Sequence, residues 1–109
     1  MKIVVATDGE GGLDAIVATD FGRAGTFTSV EVDGDMIGTV ETVVNEACRV
    51  AQGAGMAAAE QIMREDADVV IAGHFGPHAE EIFEEEGIIL VLMPKVTVRE
   101  AVGRYLKVA

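Results

Sequence analysis

The chain has 109 residues, 50% hydrophobic and 25% charged, with 8 Lys and Arg against 19 Asp and Glu, a net charge of −11. That length and composition suit one packed globular domain and exclude a disordered chain. The acidity works against phosphate-backbone binding, so nucleic acid is not an expected partner. The single cysteine, Cys48, excludes a disulfide framework or a four-cysteine metal site within one chain.

No apolar run approaches the ~18 residues of a membrane span. The apolar start, Met1 to Ala6, is short and runs straight into Asp8 and Gly9, which is not a signal peptide. The expectation is a cytoplasmic protein without a membrane partner. No linker, repeat or low-complexity tract divides the sequence, so residues 1–109 read as a single domain.

Ile3 to Ala6 is a short apolar run of the kind that makes a buried central strand. Thr7 to Gly25 follows as a long connection holding five glycines. Loops beyond about 12–15 residues are usually functional or mobile. Thr26–Val32 and Met36–Val44 are rich in Val and Thr and flank Asp33-Gly34, a pair suited to a tight hairpin. Asn45 to Gly53 reads as a loop.

Helix one is expected over roughly Gly55–Glu65, with Met56, Ala59, Ile62 and Met63 as its apolar stripe. Val69–Ala72 is a second buried strand. Gly73-His74-Phe75-Gly76 then leads to Pro77, which suits the first position of a helix. Ala79, Ile82 and Phe83 give that helix a buried face, and Gly87 stops it. Ile88–Leu92 reads as a third buried strand, closed by Pro94. Thr97 and Glu100 form a capping box, each satisfying a free N–H of the last helix. Val98, Ala101, Val102, Tyr105 and Leu106 recur there at helical spacing. The order β–ββ–α–β–α–β–α predicts an α/β fold: a mixed, mostly parallel sheet with helices on both faces.

In such sheets ligands bind beyond the carboxyl ends of the strands, where strand order reverses. Thr7-Asp8-Gly9, the turn Gly73 to His78, and Gly53-Ala54-Gly55 should converge there. Glycine turns before helix starts admit an anion, because free N–H groups point at it and the backbone can come close. They equally serve as plain strand-to-helix turns. His74 and His78 are the only histidines. Imidazole suits iron, copper and zinc, but the pair also reads as a turn residue and a solvated first-turn residue. Cys48 is a possible ligand or a small apolar filler. Glu80, Glu81, Glu84, Glu85 and Glu86 make an acidic helix surface, solvated or facing a basic protein. Asp8 with a divalent ion would suit a small hydrolase, though no catalytic constellation follows from spacing.

Met1 to Gly9, Asp20-Phe21-Gly22-Arg23-Ala24, Gly53-Ala54-Gly55-Met56 and Asp68 to Ala79, in this order, resemble the dinitrogenase iron–molybdenum cofactor biosynthesis family. The resemblance covers nearly the whole chain. It implies a ribonuclease-H-like fold with a five-stranded sheet in the order 3-2-1-4-5 and strand 2 antiparallel. It also implies a non-enzymatic carrier of an iron–sulfur or iron–molybdenum cluster or its precursor, with cluster donor or acceptor proteins as partners. The family often has His where this chain has Asp20, whereas His74 and His78 stand where relatives often have other residues.

The expected cofactor-binding residues are Asp8, Gly9, Asp20, Gly53, Gly55, Gly73 and Gly76. The expected metal ligands are His74, His78 and Cys48, in a monomer or weak homodimer. An anion- or nucleotide-binding regulatory module is the alternative.

Overall fold

The computed structural model describes residues 1–50 and 52–108. Five strands, β1 (Lys2–Thr7), β2 (Thr26–Asp33), β3 (Met36–Val44), β4 (Val69–Ala72) and β5 (Ile89–Leu92), form one sheet in the order β3-β2-β1-β4-β5. β1, β4 and β5 run parallel, and β2 is antiparallel to both β1 and β3. Three helices complete the α/β architecture: α1 (Ala54–Met63), α2 (Pro77–Glu85) and α3 (Val98–Val108). No helix among the described residues is long and apolar enough to cross a membrane.

Side chains alternate across a strand, so each central strand serves two layers. Val4, Ala6, Phe27, Val70 and Ala72 pack on one face against Ala58 and Ile62 of α1 and Ala79 and Phe83 of α2. Ile3, Val5, Val30, Val69 and Ile71 face Val98, Ala101 and Val102 of α3 on the other. Central strands covered on both sides need continuous apolar runs, and β1 and β4 supply them.

The structure departs from the sequence reading in four places. The hairpin loop is Gly34 and Asp35, not Asp33 and Gly34, because Asp33 still pairs with Met36. Gly34 carries the left-handed backbone, φ 64°, at the first central position, and Asp35 does not share it. β5 is an edge strand rather than a buried one; with no strand beyond it among the described residues, Ile89 is 52% and Leu92 67% exposed. The buried stripe of α1 is Ala54, Ala58, Ala59, Gln61 and Ile62, and Met56 turns outward. Of the capping box only half forms: Glu100 N–H donates to Thr97 Oγ1 at 3.2 Å, while the Glu100 carboxylate accepts from Arg104 at 2.9 Å. In the expected 45–53 loop, position 51 lies outside the described residues.

The long segment after β1 is fastened down. Val17 bridges Thr7, Ala18 N–H donates to Ala6 O at 2.7 Å, and Gly73 N–H donates to Ala18 O at 2.9 Å. Val17 and Ala18 therefore wedge between β1 and β4 where those strands end. A 3₁₀ turn, Phe21–Arg23, follows directly.

Candidate functional site

β1 and β4 are parallel neighbours whose chains leave in opposite directions, β1 toward the hairpin and β4 toward β5. That is the switch point at which open α/β sheets bind ligands. Three chain segments meet above it: the 3₁₀ turn, the start of α1, and the turn from β4 into α2.

Aromatic packing sets their positions. The chain has four phenylalanines, and all cluster beneath this point. Phe21 meets Phe27, Phe75 and Phe83 with ring centroids 5.3, 5.2 and 5.5 Å apart. Phe21 and Phe75 thus anchor the residues beside them, Gly22 and Arg23 on one segment and His74 and Gly76 on the other. Phe21 N–H also donates to His74 O at 2.9 Å and ties the two turns together.

Asn45, buried at the end of β3, holds the third side. Its Nδ2 donates to Gly22 O at 3.2 Å and Ala24 O at 2.8 Å, and its Oδ1 accepts from Ala47 N–H at 3.0 Å. The Arg23 guanidinium donates to the carbonyls of Cys48 and Val50, which joins this turn to the same frame.

The segments enclose a cavity of about 240 Å³ lined by Asp20, Gly22, Arg23, Gly53, Ala54, Gly55, Met56, His74, Gly76, Pro77, His78 and Ala79. Two helices begin at its wall. α1 starts from Gly53 and α2 from Gly76, and neither has a side-chain cap. The first N–H groups of a helix lack intrahelical partners and carry partial positive charge. Asp20 points its carboxylate back to cap its own turn, accepting from Gly22 N–H at 3.3 Å.

The glycines divide into two kinds. A Cβ on Gly22 would meet Gly55 N at 2.9 Å, and one on Gly73 would meet Thr19 O at 2.7 Å. Close backbone packing demands glycine at both. A Cβ on Gly53, Gly55 or Gly76 would meet nothing within 4 Å. Gly53 needs its left-handed φ of 74°, whereas Gly76 has an ordinary φ of −74° and Gly55 sits in the first turn of α1. Neither internal packing nor backbone conformation accounts for glycine at Gly55 and Gly76. Both border the cavity.

The expected site residues fall accordingly. Asp20, Gly53, Gly55, His74, Gly76 and His78 come together. Both imidazoles are exposed at the rim. Asp8 and Gly9 do not line this cavity: they sit toward β2, where Asp8 N–H donates to Ile16 O and Gly9 O accepts from Thr26 Oγ1. Gly73 lies below, in the packing between β4 and the wedge. Cys48 is half-buried in the turn after β3 and does not line the cavity; its backbone is tied to Arg23 and Asn45. Among the described residues no three His, Cys, Asp or Glu side chains are grouped to hold one metal ion. Sequence reasoning missed Gly22, Arg23, Met56 and the framing role of Asn45.

A three-layer α/β domain with a small glycine-walled cavity at its strand switch point is the class of protein these features define. The chain belongs to the dinitrogenase iron-molybdenum cofactor family, whose model matches residues 1–108. The apo form of the orange protein from Desulfovibrio gigas is 35% identical, with a TM-score of 0.86 over 97% of this chain and 87% of that one. A candidate NifB protein from Thermotoga is 24% identical, with a TM-score of 0.80 over 97% of this chain and 87% of its own. A candidate dinitrogenase from Methanocaldococcus jannaschii is 14% identical, with a TM-score of 0.70 over 98% and 88%. The last two support the fold alone. No curated protein matches the chain in sequence.

Proposed function

We propose that this chain is a non-enzymatic, cytoplasmic carrier that holds an iron–sulfur or iron–molybdenum cluster, or its precursor, as cargo in the cavity between α1 and α2. Family membership supports involvement with such cofactors. The observation that carries the reading is the meeting of two uncapped helix starts, two unpacked glycines and both histidines at one small cavity.

The donor set supports one form of cargo over another. A bare cation needs several side-chain donors around one point, and helix N-termini repel positive charge. An assembled cluster that brings its own sulfide ligands is anionic and suits converging N–H groups. His74 and His78 would then contact iron or the cluster edge, and Gly55 and Gly76 would let it approach the backbone. Asp8, Gly9, Gly73 and Cys48 have no part in this version of the site.

Size bears on the rival reading. A cavity of about 240 Å³ is smaller than the roughly 300–1,000 Å³ pockets that enclose drug-sized ligands. It favours a compact inorganic cluster over a nucleotide. Anaerobic reconstitution with iron, molybdate and sulfide tests this directly. The wild-type chain should gain visible absorption and stoichiometric metal, and His74→Ala/His78→Ala should lose most of both. Calorimetric binding of nucleotides or phosphometabolites without metal uptake would favour the regulatory-module reading instead.

A further inference from the structure

A second cavity, of about 450 Å³, lies between α2 and β5. Its floor is Phe75 with Ile88, Leu90 and Leu92, and its wall is Glu80 and Glu84, one turn apart on α2. His74 borders it as well as the cargo cavity. We propose that this groove docks an extended, lysine- or arginine-bearing segment of a partner protein, which adds as a strand to the free edge of β5.

Three observations carry the docking surface. First, β5 ends the sheet. Parallel pairing uses alternate residues of a strand, and Ile89 N–H and Met93 N–H turn toward β4. The N–H and C=O groups of Leu90 and Leu92 therefore face the open edge. Natural edges are commonly blocked by lysine, proline or a bulge. β5 reads Ile-Leu-Val-Leu with no bulge in its β4 register, and proline and lysine come only beyond it, at Pro94 and Lys95.

Second, the apolar floor is open. Leu92 is 67% exposed, and it continues the apolar floor of Ile88 and Leu90 out to the strand edge. Strand addition gives backbone hydrogen bonds while apolar side chains of the added segment fill such a groove.

Third, the wall is acidic and unneutralised. Among the described residues neither Glu80 nor Glu84 forms an ion pair. Like charges one turn apart disfavour the helix, and Glu84 also sits at its negative end. A cationic partner removes both penalties. A second copy of this chain, with net charge −11, would instead bring glutamate to glutamate. The docking surface stands without the cargo reading. Only the further step, that a docked partner meets the cargo through His74, rests on it.

The test uses a fluorescein-labelled eight-residue peptide of alternating lysine and valine, read by anisotropy at low salt, with amide NMR shifts of the apo chain. Binding should shift the Leu90 and Leu92 amides. Glu80→Gln/Glu84→Gln should weaken it about tenfold. Glu31→Gln/Glu41→Gln, in β2 and β3 toward the other edge of the sheet, should leave it unchanged. The same peptide methylated at alternate backbone nitrogens should lose binding. Equal weakening by both double variants, undiminished binding of the methylated peptide, or self-association through β5 would each overturn the proposal. None of these outcomes bears on metal uptake, so its failure is distinguishable from failure of the carrier reading.

Discussion

Gly55→Ala separates fold from function, because the two should move in opposite directions. Gly55 is the second residue of α1, and a Cβ there would meet nothing within 4 Å. Alanine is favoured over glycine by about 1 kcal/mol in a helix interior, and roughly half of that applies in the first turn. A gain of about 0.5 kcal/mol raises Tm by about 2–4 °C in a domain of this size. The new methyl group projects into the cavity wall beside the free N–H groups of α1. Holding an anionic cluster off one or two of these N–H groups forfeits charge-assisted hydrogen bonds of about 1.5–3 kcal/mol. Cluster affinity should fall between tenfold and a hundredfold. A thermal melt of the metal-free variant, paired with a cluster titration under anoxia, reads both. A lower Tm would mean that the space beside Gly55 is not open. Unchanged affinity would refute close approach of cargo to this helix start.

Gly22→Ala should behave differently, because its Cβ would meet the Gly55 backbone at 2.9 Å. A loss of about 1–3 kcal/mol is expected, seen as a lower urea midpoint with an unchanged slope. Asn45→Ala removes the anchor of the 3₁₀ turn and orphans the Gly22 and Ala24 carbonyls. It should cost about 2 kcal/mol or more by chemical denaturation and speed hydrogen exchange in the turns it holds. Glu85→Lys replaces a like-charge i,i+4 neighbour of Glu81 at the negative end of α2. It should stabilise by about 0.5 kcal/mol at low ionic strength and by less in high salt.

Local chemistry made much of the fold legible. The Val69–Ala72 run is β4 to the residue, and Pro77 opens α2. Gly87, at φ 73°, follows the end of α2 as a left-handed stop. The hairpin slipped by one residue because a strand's pairing end is set across the sheet, by Asp33 against Met36, and not by the turn pair alone. β5 looked buried because the apolar run Ile88–Leu92 reads alike at the centre and at the edge of a sheet.

The site was half legible. His74 in the turn before α2, and His78, Gly53, Gly55 and Gly76 at the two helix starts, converge as the sequence reading implied. Sequence does not say which glycines are packed and which are open, since that depends on whether Thr19 or Gly55 of a distant segment lies against them. For the same reason Asp8 and Gly9 seemed equivalent to the other turns, until the wedge of Val17 and Ala18 turned that loop toward β2. Asn45 carried no signal at all; only its partners 21 and 23 residues away give it meaning.

Metal analysis and visible absorption of the chain purified without oxygen bear most directly on the carrier reading. Iron, with or without molybdenum, should copurify with wild type at a fixed ratio and fall away in His74→Ala/His78→Ala while the fold is kept. Colourless wild-type protein that carries no more metal than that variant, and takes none up from iron, molybdate and sulfide, would contradict it.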